Sequence, residues 1–434
     1  MIKKLLIFVY LLIASFVSAQ TFYSNGAVLH VSNGADFFCN GGITLSNSSQ
    51  VINNGNLTAT KNSSFSQAGN FELNSNSTVS GDGVYSIEQD WINDAVFNGD
   101  NGEVILFGNT EQIITSTNGT ITVFNDLTLI GNGTNQNRKK TLLNTDSGTG
   151  INGVLNINDR ELNTDVNSFT VDNISIGAVL NSTTLYNEGI VSSLLGGYLI
   201  RKTNQASDYL FPVGSSDGVR RYRPVIINPN ATTQQVYGVR MNNYTADVDG
   251  YFLSQHENSI DEINDLFFHS INRFAGNSNS DIKLFYMPTD DNNWMSFAHW
   301  YPTQKQWEDV KNVTENNIPD FNYILKSSWG FPSTETPYVL VNTSDKLNIP
   351  NVFTPNGDGI NDLFMITSSG LTDYEITIVN RWGELVFQSN DPKQGWDGTS
   401  KGKKCTDGVY FYSIKAKQNS DDINKHGHLT ISGN

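Results

Sequence analysis

Charge is scarce in this 434-residue chain. Asp, Glu, Lys and Arg make up only 16% of it, and the balance is acidic, at −16 with a sequence pI of about 4.7. That sign disfavours nucleic acid or anionic lipid as a partner, because both would be repelled, while divalent cations stay compatible. Cysteine is scarcer still. Cys39 and Cys405 fall in different predicted domains, so a disulfide between them is not expected and two buried thiols are the simpler reading. Six histidines occur (His30, His256, His269, His299, His426 and His428), and no two have the helical spacing of a His-Glu-x-x-His zinc site. His426 and His428 would share a strand face, but no third ligand is evident, so a solvated strand end is the expectation. A phosphate-binding loop of the Gly-x-x-x-x-Gly-Lys-Ser/Thr kind is missing. Apolar runs of the roughly 20 residues that span a bilayer are missing too, so no transmembrane span is expected in the mature chain.

What is abundant is Asn, 55 residues or one in eight, which suits turn-rich β structure better than helix. The length accommodates two or three domains, each with a buried core. At the N-terminus, Lys3 and Lys4 precede an apolar run from Leu5 to Val17 and the small residues Val17-Ser18-Ala19. This reads as a secretory signal over residues 1–19, cleaved between Ala19 and Gln20.

From residue 27 to 87 the chain repeats every 14 residues. One position runs Leu29, Ile43, Leu57, Phe71, Tyr85, and two residues later come Val31, Leu45, Ala59, Leu73 and Ile87. Two residues earlier stand Ala27, Gly41, Gly55, Gly69 and Gly83; eight residues later, Phe37, Val51, Phe65 and Val79. Apolar positions two apart share a strand face, and the intervening Gly and Asn suit tight or left-handed turns. A unit this short cannot bury its apolar face alone, so stacking into a β-solenoid is expected, with a hairpin meander as the competing arrangement. After Ile87 the register breaks at Trp91, and looser strand-like segments carry the solenoid region over residues 20–196.

Around Gly196 aromatic residues become denser, and alternating segments at 224–228, 236–241, 282–286 and 337–341 predict a β-sandwich over residues 197–344. Trp294, Phe297, Trp300, Tyr301 and Trp307 crowd together there. Such a cluster suits either a core or a glycan-binding platform, so a glycan or other surface ligand enters as a candidate partner.

The last segment, 345–434, carries ordered blocks: Phe353-Thr-Pro-Asn-Gly-Asp-Gly-Ile-Asn-Asp, Asn380-Arg-Trp-Gly-Glu, Gly395-Trp-Asp-Gly-Thr and Asp407-Gly-Val-Tyr-Phe-Tyr. A hairpin turn at Arg381-Trp382-Gly383, a second turn at Gly395-Trp396-Asp397-Gly398 and a strand beginning at Gly408 make a small β-sandwich. Asn356, Asp358, Asn361 and Asp362 alternate with glycines as in hard-cation loops, which makes calcium a candidate cofactor. The bidentate Glu of an EF-hand is missing, and the same side chains can form Asx turns, so both readings stand.

Together these blocks resemble the gliding-motility-associated C-terminal domain, the type B sorting module of the type IX secretion system of Bacteroidetes. The matching residues are Phe353, Pro355, Gly357, Asp358, Gly359, Asn361, Asp362, Arg381, Trp382, Gly383, Trp396, Asp397, Gly398, Gly408, Tyr410 and Tyr412. The resemblance implies export to the cell surface or beyond, docking on the type IX translocon, and a PorP/SprF-like outer-membrane partner. The expected fold is all-β: solenoid, sandwich, sorting domain. The expected function is a non-enzymatic adhesin or surface-structural protein. A secreted polysaccharide lyase or hydrolase on a β-helix is the alternative, and it is disfavoured because a 14-residue coil holds only about two strands of ordinary length.

Overall fold

The computed structural model describes residues 21–62, 69–143, 149–193, 196–332, 336–343, 349–358, 361–366, 371–418 and 421–433. The signal segment with Ala19 and Gln20, the repeat position Phe65, and Gly359 lie outside them. The chain divides into two compact units, one of residues 1–257 and 262–342, the other of 258–261 and 343–434. No helix among the described residues is long and apolar enough to cross a membrane.

The first unit begins as a parallel β-solenoid with three strands per coil. Phe22–Asn25, Val28–Val31 and Asp36–Asn40 make the first coil, and each lies alongside its counterpart in the second, Ile43–Ser46, Gln50–Asn53 and Asn56–Thr60. Stacked rungs stand 20 residues apart at Asn70 and Asp90 and 29 apart at Asn163 and Ser192, so a coil is longer than the sequence period. The 14-residue step is half of a 28-residue coil such as the one from Ile43 to Phe71. Successive repeat positions therefore land on different faces: Leu29 on the second, Leu57 and Tyr85 on the third, Ile43 and Phe71 on the first. The repeat marks which residues point inward, and almost all of them are buried.

Two local expectations change. Trp91 does not break the stack; it sits in register beneath Phe71, rings stacked at 4.8 Å, because the coil shortens and the ladder continues. The repeating glycines at 55 and 83 owe their place to crowding between coils, not to left-handed backbone. A Cβ on Gly83 would stand 2.5 Å from the Gly55 carbonyl oxygen, and one on Gly55 would stand 2.3 Å from that of Ala35. Asparagine serves the same corners: buried Asn53 donates to Val84 O at 3.0 Å and accepts from Gly55 N at 3.1 Å. This satisfies backbone groups that the corner leaves without ladder partners.

The solenoid runs directly into the sandwich. On one face the strands stay parallel as far as Leu199–Thr203, which then pairs antiparallel with Gln235–Asn242 and onward through Phe268–Ala275, Thr336–Thr343, Ser296–Tyr301 and Gln306–Asp309. A second, five-stranded antiparallel sheet orders Tyr209–Phe211, Val225–Pro229, Ser280–Tyr286, Phe321–Trp329 and Val313–Ile318. One continuous apolar core joins both halves of the unit. The tryptophan cluster belongs to the buried interior and offers no open platform. Trp294, Trp300 and Trp307 are buried, Trp300 and Trp307 pack edge to face at 5.5 Å, and the Trp294 indole donates to Asp291 O at 2.6 Å.

Candidate sorting site

The second unit is built on a five-stranded sheet. Its order is Val352–Phe353, Asp421–Ile431, Gly408–Gln418, Leu371–Val379 and Leu385–Ser389, with the first pair parallel and the others antiparallel. Period-two alternation places Tyr410 and Ile414 inside and Val409 and Phe411 outside. Phe364, Ile366 and the turn at Trp396 pack into the same core, and Thr399–Ser400 pairs with Lys403–Lys404 in a short ladder after that turn.

Most of the motif residues hold this small core together. Trp396 is at the centre, with ring centroids 5.6 Å from Phe353 and 5.3 Å from Tyr410, and its indole donates to Thr399 O at 2.7 Å. Phe364 and Trp396 exchange both backbone hydrogen bonds, at 2.8 and 3.0 Å. Asp397 accepts from the Thr399 N–H at 2.9 Å and the Thr399 hydroxyl at 2.7 Å, which tightens the turn. Gly398 has φ of +76°, and a Cβ there would come within 2.9 Å of Pro355 Cγ. Gly408 starts its strand at φ +147°, Tyr410 donates to Thr406 O at 2.8 Å, and Tyr412 packs over Gly427. Burial pushes the Tyr374 hydroxyl up to about 12 and raises the Cys405 thiol, so both stay neutral at ordinary pH.

The Asn-Gly-Asp loop is bound to itself. Asn356 accepts from Asp358 N at 3.0 Å, Asp362 accepts from Gly357 N at 2.6 Å, and the Asn361 carbonyl accepts from Thr354 N at 2.9 Å. Asn361 and Gly357 adopt positive φ, a conformation that Asn and Gly tolerate in turns. These bonds are the local side-chain-to-backbone turns that Asn and Asp favour. His426 and His428 are exposed on one strand face, as their spacing implies.

Arg381 and Trp382 are the exception among the motif residues. Asn380 braces their turn, accepting from both Trp382 N and Glu384 N at 3.0 Å, and Gly383 supplies the φ of +80°. The bracing leaves the Trp382 ring 76% exposed, with the Arg381 guanidinium 5.2 Å above it. Beside this turn, Leu385 pairs with Val379, Val379 with Phe411, and Phe411 with His428, making a row across the outer sheet face. Leu385, Phe411 and neighbouring Val409 are exposed. The alternation identified which residues share that face but could not tell which face meets water.

Residues 347–431 match the CHU_C type IX secretion signal domain. The second unit is therefore a type B C-terminal sorting domain, which directs export through the type IX secretion system to the cell surface or extracellular space and engages the secretion machinery. The match extends no further towards the N-terminus. No curated protein matches the chain.

Proposed function

We propose that the first unit is a non-enzymatic passenger, an adhesin or surface-structural body that crosses the inner membrane on its N-terminal signal and is delivered outside by the sorting domain. The observation that carries this reading is the pairing of its buried carboxylates. Glu188 faces Arg220 at 2.7 Å and Asp291 faces Arg223. Carboxylates held by basic neighbours are committed to those partners, whereas glycoside cleavage uses two carboxyl groups facing each other across a substrate. Docking on the machinery, with a PorP/SprF-like outer-membrane partner as candidate, is assigned to Arg381, Trp382 and the adjoining row of Leu385 and Phe411. Exposed aromatic and apolar surface beside a guanidinium is what interfaces favour.

The carbohydrate-active alternative keeps one supporting observation. Three strands per coil give the solenoid the wide faces that a 14-residue coil would have denied it. Incubation of the secreted protein with a panel of plant and algal polysaccharides, scored for both pull-down and reducing-end release, separates the two. Binding without release is expected, and release above background would overturn the passenger reading. The export half is tested by comparing the full chain in a type IX-competent host and a translocon mutant; identical periplasmic retention in both would sink it.

A further inference from the structure

Lys139 opens the strand Lys139–Leu143 and is the register partner of Glu161 in the next coil, so both side chains leave the same outer face of the solenoid. Both are shut away from solvent, at 6% and 2% exposure. The loop linking Gly214–Ser215 to Arg221–Tyr222 brings Asp217 onto them from 78 residues away. Lys139 Nζ donates to Asp217 Oδ1 at 2.8 Å and stands 3.9 Å from Glu161 Oε1. Asp217 is fixed in place, its N–H donating to Ser215 Oγ at 3.1 Å and its carbonyl accepting from Asn243 at 2.7 Å. As an ion pair the trio is poorly satisfied, because Asp217 Oδ2 and Glu161 Oε1 are buried and accept no hydrogen bond among the described residues.

We propose that Lys139 and Asp217 condense to an intramolecular amide, with Glu161 as the base that starts the reaction. Glu161 takes a proton from the Lys139 ammonium and passes it to the Asp217 carboxylate, and the free amine attacks Cγ of the resulting acid. A bond from Nζ to Cγ forms, a C–O bond breaks, and the oxygen leaves as water on the protons released. The net change converts one ammonium and one carboxylate into an amide and a water, with Glu161 returned as carboxylate and no oxidant or reductant consumed. Fixed proximity supplies the driving geometry, and the 33% exposure of the Asp217 side chain gives the water an exit.

Neighbouring buried cations lack this arrangement. Arg223 lies on Asp291, but a guanidinium does not give up its proton. Lys140 donates to Gly108 O and Gln112 Oε1 and has no carboxylate in that contact set. The amide would staple the sandwich turn to the solenoid wall, restricting the unfolded chain as any long-range cross-link does.

The test is peptide mapping by mass spectrometry of the full-length secreted protein after denaturation and reduction. The expected result is a joined peptide carrying Lys139 and Asp217, lighter than the sum of its parts by one water and uncleaved by trypsin after Lys139. In Glu161→Gln, checked for an unchanged circular dichroism spectrum, the joined peptide should fall at least ten-fold. Unlinked Lys139 and Asp217 peptides from the wild-type protein would overturn the proposal without recourse to any variant. So would a link at Lys140 and Gln112, recognisable by the loss of one ammonia. Undiminished linkage in folded Glu161→Gln would remove Glu161 from the reaction.

Discussion

Two tryptophans of the sorting domain, both within its signature blocks, should respond differently to truncation. Trp396 is 1% exposed and wedged against Phe353, Tyr410 and Phe387, so Trp396→Ala opens a cavity and strands the Thr399 carbonyl. Deleting such a side chain costs about 3–5 kcal/mol. Against a typical domain stability of about 5–15 kcal/mol, this removes roughly a fifth or more of what holds a small unit folded. Trp382 is 76% exposed and contacts the Arg381 guanidinium at 5.2 Å. An exposed cation–π pair contributes about 0.5–1 kcal/mol, so Trp382→Ala should leave the fold almost untouched. Hydrogen exchange of the Tyr374–Ile378 amides reports stability, and the split of full-length chain between periplasm and exterior reports export. Trp396→Ala is expected to lower protection and export together, while Trp382→Ala lowers export alone. The reasoning fails if Trp382→Ala exports like the wild type, or if it lowers stability as much as Trp396→Ala does.

Three further outcomes follow from the geometry. Asp291→Asn leaves buried Arg223 and the Met287 N–H without their carboxylate, and should destabilise the first unit by about 3–5 kcal/mol in urea unfolding. His269 is buried against the Arg223 carbonyl, and burial pushes it down to about 4. The unfolded chain therefore binds the proton first, so the neutral ring's contribution is present above about pH 6.5 and is lost as pH falls towards 4, by roughly 3 kcal/mol. The difference in urea midpoint between wild type and His269→Gln at pH 7 and pH 4.5 reads this directly. Because Asn356, Asp358 and Asp362 already bond their own loop, millimolar calcium should shift the melting temperature of the full chain by less than about 1 °C. A larger shift, abolished by Asp362→Asn, would reassign the loop to a cation.

Much of this arrangement was legible in the residues. Fourteen-residue spacing identified the inward side chains at Ile43, Leu57, Phe71 and Tyr85, since burial of a strand face follows directly from alternation. It did not reveal the coil, because two repeats close one turn and the corners that decide this depend on contacts between coils, such as Gly83 beneath Gly55. Trp91 looked like an interruption for the same reason. A shortened coil shifts the count along the chain without moving the ring out of its stack. In the sorting domain the blocks were plain, yet their division of labour was not. Gly398 and Asp397 shape a turn around a buried indole, whereas Gly383 and Asn380 shape a turn that presents one.

The sequence by itself determined the β class, the inward positions of the repeat and the sorting address, because alternation, turn chemistry and motif order are local properties of the chain. Tertiary structure alone decided which tryptophan is buried and which is displayed, how many strands close a coil, and that Lys139 meets Asp217 across 78 residues. Those outcomes rest on through-space contacts whose partners are distant in the chain, and no local pattern encodes the distance between them.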